Sequence, residues 1–89
     1  MSKSCWITGA SSGIGKATAV SFAKRGDTVF ASARSLEGLI SLKKECEELS
    51  LKGRIIPLKL DVTNINEISK SLKYIKDNVK NLDYVLLNA

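Results

Sequence analysis

The chain has 89 residues, enough for one small domain and too few for two, since domains usually run to roughly 100–150 residues. Its 44% hydrophobic and 26% charged composition is that of a soluble globular protein and excludes a disordered or fibrous chain. Fourteen Lys and Arg against nine Asp and Glu give a net charge of +5, which favours an anionic ligand such as a phosphorylated cofactor, or nucleic acid.

Cys5-Trp6-Ile7-Thr8 is a short β-prone run that ends in Gly9-Ala10-Ser11-Ser12-Gly13, a strand followed by a tight glycine-rich turn. A helix follows from Ile14 to Arg25, apolar at Ala17, Val20, Phe22 and Ala23, with Gly26 placed to end it in a left-handed conformation. Thr28 to Ala33 is the second strand. Leu36, Leu39, Leu42, Cys46 and Leu49 recur at spacings of three and four, which predicts an amphipathic helix closing near Gly53. Arg54 to Leu60 is a third strand, and Pro57, unable to donate to a ladder, assigns it to a sheet edge. Thr63 or Asn64 can cap a helix bearing Ile65, Ile68, Leu72, Ile75 and Val79 on one stripe. Leu82 to Leu87 is the fourth strand.

Strands alternating with helices of this length imply right-handed crossovers and a parallel sheet covered on both faces, a doubly wound, Rossmann-type α/β fold in the order β-α-β-α-β-α-β. The expected strand order is 3-2-1-4, which makes the third strand an edge as Pro57 requires.

Thr8-Gly9-Ala10-Ser11-Ser12-Gly13-Ile14-Gly15 lies where a strand gives way to a helix, a position at which backbone N–H groups and the helix dipole can hold a diphosphate. Gly9 permits the tight turn, Gly13 lets the backbone approach a pyrophosphate, and Gly15 allows close helix-to-sheet packing. Ser11 and Ser12 add hydroxyl donors. The turn lacks the Gly-Lys-Ser/Thr that would place a lysine on terminal phosphates, which excludes a Walker-type loop. About 20 residues past the turn, where an acid would hold the ribose 2′-OH of NAD, the charged residue is Arg34, suited to a 2′-phosphate. NADP is therefore expected in preference to NAD.

These residues together resemble the short-chain dehydrogenase/reductase family, whose first motif, Thr-Gly-x-x-x-Gly-x-Gly, matches Thr8 through Gly15. The resemblance covers the whole chain and implies that Asp61 and Val62 lie beside the adenine ring. It further implies that Asn88 lines the ribose and steadies the sheet, as the second Asn of an Asn-Asn-Ala-Gly motif matched here by Leu87-Asn88-Ala89. Leu87 departs from the motif's first Asn. The family's catalytic Ser and Tyr-x-x-x-Lys pair have no counterparts: Tyr74 is followed four residues on by Asn78, and Tyr84 by Asn88. The expectation is a cofactor-binding domain over residues 1–89, incomplete at its C-terminus and inactive alone, from an enzyme that moves hydride between a nicotinamide and a carbonyl or alcohol substrate. The complete enzyme is expected to be a cytoplasmic homo-oligomer. The alternative is a non-catalytic module that binds a dinucleotide or docks through the open edge of its fourth strand.

Neither cysteine belongs to a zinc site, since the sequence has no histidine and Cys5 and Cys46 are far apart; both are expected to be buried thiols. No apolar run approaches the ~20 residues needed to cross a bilayer, so no membrane partner is expected. The lysines at 70, 73, 76 and 80 have no interleaved stacking aromatics, so neither is a nucleic-acid partner.

Overall fold

The computed structural model of the chain describes residues 2–88. Its elements run β1 (Ser4–Thr8), α1 (Gly13–Lys24), β2 (Thr28–Ser32), α2 (Leu36–Glu48), β3 (Arg54–Pro57), α3 (Ile65–Asn78) and β4 (Tyr84–Leu86). All strand pairs are parallel, in the order β3-β2-β1-β4. The expected topology and the edge position of β3 are both present. Beyond Pro57 the chain stays in the ladder without counting as strand, because Leu58 N–H donates to the Ala31 carbonyl and Leu60 N–H to that of Ala33. Alternate amides thus face β2, and the proline nitrogen falls on the outward side.

The register explains why the strands are apolar on both sides. Cys5 and Ile7 of β1 stand beside Val29 and Ala31 of β2 and join Ile55 in one cluster, covered by Ala19 and Ala23 of α1 and Leu39, Leu42 and Cys46 of α2. The intervening residues, Trp6 and Phe30, face the opposite way and pack with Leu60 and Ile75 under α3. Each fully buried leucine or phenylalanine contributes about 2 kcal/mol relative to exposure. The crossover from β3 past β2 to the far side of β1 puts α3 on the face that α1 and α2 leave bare.

The stripes are only partly used. On α3 the buried line runs through Ser71 and Ile75, while Ile65 is 76% exposed. Among the described residues a single helix covers this face, so the outer part of its apolar stripe has no sheet beneath it. On α2 the terminal members Leu36 and Leu49 are likewise exposed. The helix α2 ends at Glu48, short of Gly53, and the left-handed residue after it is Ser50, with a φ of 53°. After α1 it is Gly26, as the sequence requires. Asn64, not Thr63, caps α3: its Oδ1 accepts from the N–H groups of Asn66 and Glu67.

Cys5 and Cys46 are both free and buried. Burial pushes the Cys5 thiol up to about 12, with the Asp27 carboxylate adding to it, and burial also raises Cys46. Such thiols are protonated and inert near neutrality. Among the described residues, no helix is long and apolar enough to cross a membrane, and no group of three or more His, Cys, Asp or Glu could hold a metal.

Candidate functional site

The carboxyl ends of β1 and β2, with the chain leaving β3, enclose a cleft of about 330 Å³. That volume lies at the small end of the range for ligand pockets. One wall is the glycine-rich turn, contributing Thr8, Gly9 and Ser11; the other is the segment from Ser32 to Ser35; Leu60, Val62 and Asn88 complete it.

The turn is held from the sides of both strands that flank β1. Ala10 N–H donates to the Ser32 carbonyl at 3.0 Å, tying it to β2. Asn88 grips it from the end of β4: its backbone N–H donates to Thr8 Oγ1 at 3.0 Å, and its Nδ2 to the Gly9 carbonyl at 3.3 Å. Gly9, at a φ of +64°, passes so close to Asn88 that a Cβ would lie 2.6 Å from the Asn88 carbonyl oxygen. Gly15 is still more confined, since its own Cβ would overlap the Gly9 carbonyl oxygen. Its close packing is therefore against the turn itself. Gly13 differs: it has a φ of +56° and only open space where its Cβ would be. Its side of the turn is free for a ligand to approach the backbone.

The start of α1 contrasts with the other two helices. Ser35 caps α2 by accepting from Gly38 N–H, Asn64 caps α3, and each of those helices has an acid in its first turn. Ser12, the N-cap residue of α1, makes no side-chain cap bond, and the first turn holds no acid. The amides of that turn keep unmet donor capacity at the positive end of the helix dipole, a ready-made position for an anion.

Across the cleft, Arg34 is exposed and takes part in no ion pair among the described residues. Asp61 stands outside the cleft, in a neighbouring depression of about 380 Å³ shared with Arg34, Lys59 and Glu67. Hydrogen bonds from the Thr63 hydroxyl at 2.6 Å and the Thr63 N–H at 2.9 Å hold the Asp61 carboxyl below the usual carboxylate range, and the Arg34 charge assists. Val62 is more than half exposed on the cleft wall. Ile14 is 77% exposed and borders a separate groove along α1.

The structure thus brings Gly9, Ser11, Arg34, Val62 and Asn88 to one cleft, with Ser12, Gly13, Ile14 and Gly15 at the adjoining helix start and Asp61 just beyond. Of the segment Leu87-Asn88-Ala89, Ala89 lies outside the described residues. Three further residues matter here. Thr8 links the turn to β4. Ser32, fully buried, accepts from Trp6 Nε1 at 2.8 Å, tying the cleft wall to the core under α3. Gly38 touches Ser11. A glycine inside a helical pattern was the one available signal for Gly38; nothing local in the sequence marks Ser32.

A family model described as short chain dehydrogenase matches residues 3–89. The chain is 42% identical over 87 residues to the 3-oxoacyl-(acyl-carrier-protein) reductase of Thermotoga maritima, covering 98% of this chain and 35% of that protein. It is 36% identical over 83 residues to dehydrogenase/reductase SDR family member 11 of Gallus gallus, covering 93% and 32% respectively. Among solved structures, L-sorbose reductase from Gluconobacter frateurii, complexed with NADPH and L-sorbose, superposes at a TM-score of 0.89 with 28% identity, over 99% of this chain and 33% of that one. Hydroxysteroid dehydrogenase from Escherichia coli also gives 0.89, with 29% identity over 98% and 36%. The chain spans about a third of the length of the curated relatives it matches.

Proposed function

We propose that this chain, which belongs to the short-chain dehydrogenase family, is the dinucleotide-binding domain, residues 1–89, of an NADP(H)-dependent oxidoreductase acting on a carbonyl or alcohol substrate. The observation that carries this reading is the pairing of an uncapped α1 N-terminus, adjoining the turn wall of the cleft, with Arg34 on the opposite wall, which makes no ion pair among the described residues. A dinucleotide phosphate presents anions at both places.

The residues fit that group. The amides at Gly13, Ile14 and Gly15 and the hydroxyls of Ser11 and Ser12 receive the pyrophosphate, and the open space at Gly13 admits it. Arg34 takes the 2′-phosphate through its planar fork of N–H donors. Asp61 and Val62 serve the adenine side, and Asn88 the ribose while it holds Thr8 and Gly9. When bound, the nicotinamide supplies or accepts the hydride. These 89 residues hold no Tyr-x-x-x-Lys pair, so proton transfer to the substrate oxygen falls to residues other than these. In the same reading the complete protein is a cytoplasmic homo-oligomer.

The test is cofactor binding followed by the fluorescence of the reduced nicotinamide, with NADPH and NADH side by side. NADPH should bind more tightly. Arg34→Ala should weaken NADPH at least tenfold, the loss of one charged hydrogen-bonding partner worth about 1.5–3 kcal/mol, and leave NADH nearly unchanged. Equal affinities in the unsubstituted chain would refute the NADP preference, and binding of neither would refute the dinucleotide site. The chain by itself should show no NADPH-dependent carbonyl reduction.

A further inference from the structure

Gly38 occupies the third position of α2, inside its first turn, where glycine is a poor helix former compared with alanine. The structure supplies a reason for it. A Cβ at Gly38 would lie 2.8 Å from Ser11 Cβ, closer than side-chain carbons approach, and 3.7 Å from the hydroxyl of Ser35, which already accepts from Gly38 N–H at 3.2 Å. The absent side chain lets the first turn of α2 rest directly on the glycine-rich turn. Further along, Lys16 of α1 and Glu45 of α2 meet at 3.1 Å on the surface.

This contact joins the two walls of the cleft. Ser11 belongs to the turn wall, and Arg34 and Ser35 lead directly into α2 on the other. The separation of the walls therefore depends on how near α2 comes to Ser11. A ligand that spans the cleft, with a pyrophosphate on the turn and a 2′-phosphate on Arg34, feels that separation; one confined to the Arg34 side does not.

We propose that Gly38 is a positioning residue that sets the distance between the pyrophosphate-binding turn and the 2′-phosphate-binding Arg34, and so selects for a ligand that spans both. This rests on the dinucleotide reading above. Gly38 touches no ligand; it acts through Ser11.

The experiment compares NADPH, which spans the cleft, with adenosine 2′-monophosphate, which has no pyrophosphate, on the unsubstituted chain, Gly38→Ala, Ser11→Gly and the double variant. Gly38→Ala should weaken NADPH about tenfold and change adenosine 2′-monophosphate less than twofold; retained binding of the smaller ligand also shows that the variant is folded. With Ser11→Gly there is no Cβ to collide with, so adding Gly38→Ala to that background should alter NADPH affinity less than twofold. Three results overturn the proposal: unchanged NADPH binding by Gly38→Ala, equal losses for both ligands, or a loss that persists in the Ser11→Gly background. Failure of the unsubstituted chain to bind either ligand removes the dinucleotide reading itself and this inference with it.

Discussion

Replacing Gly15 by alanine sets two effects of opposite sign against each other. In the third position of α1, alanine favours the helix by up to about 1 kcal/mol. Its methyl group, however, would overlap the Gly9 carbonyl oxygen and lie 2.8 Å from both the Gly9 carbonyl carbon and Asn88 Nδ2, whereas ordinary contact begins at 3.4 Å. Asn88 Nδ2 and the Gly9 carbonyl carbon must retreat by about 0.6 Å and the Gly9 oxygen by more, and overpacking of this kind costs about 3 kcal/mol at the upper end of its usual range. The upper end applies because the carbonyl has nowhere to retreat: Asn88 Nδ2 donates to it, and Gly9 itself is pressed against the Asn88 backbone. The net loss is about 2 kcal/mol, equivalent to a fall in Tm of roughly 10 °C for a domain of this size. Thermal unfolding followed by circular dichroism measures it. A Tm that is unchanged or higher for Gly15→Ala would mean that propensity wins and that the turn is not packed as described.

Ser32→Ala leaves the buried Trp6 indole N–H without its acceptor and should cost about 2 kcal/mol in urea unfolding; an unchanged midpoint would show that the pair contributes nothing. Because the folded chain holds the Cys5 thiol up near 12 against an ordinary value of 9.0, the neutral thiol is the form that folding favours. The resulting stability is complete below about pH 9 and is lost as pH rises toward 12, amounting to about 2 kcal/mol by about pH 10.5. Cys5→Ala should remove that part of the alkaline slope, and identical slopes in the two proteins would contradict the assignment. For Asp61 the sign reverses: the depressed carboxyl stabilises the fold above the usual carboxylate range, and that contribution is lost as pH falls through its lowered value. Thr63→Val removes the hydroxyl donor and should move the Asp61 titration, observed by NMR, up toward the ordinary range; a titration that stays put would assign the depression to another group.

How much of this was legible beforehand varies element by element. The strand order was written in the sequence because Pro57 and the alternation of strand and helix are local facts with topological consequences. The turn at Gly9 to Gly15 was legible because a left-handed backbone and a close approach each demand glycine at particular positions. Arg34 lines the cleft opposite that turn, where counting about 20 residues from the turn leads one to look for the residue that meets the ribose. Periodicity also placed α3 but overstated its burial, since a stripe records which face is apolar and not how much sheet lies beneath it; Ile65 stays in solvent for that reason.

What the sequence determined by itself is therefore the local geometry and the order of the layers, because those depend on backbone sterics and hydrophobic period within short windows. What only the tertiary structure decided is everything joined across long separations. Trp6 meets Ser32 in the core, Asn88 reaches back eighty positions to Thr8, and Gly38 rests on Ser11. No short window contains both members of such a pair, and it is folding of the parallel sheet that brings them within contact distance and closes the cleft between them.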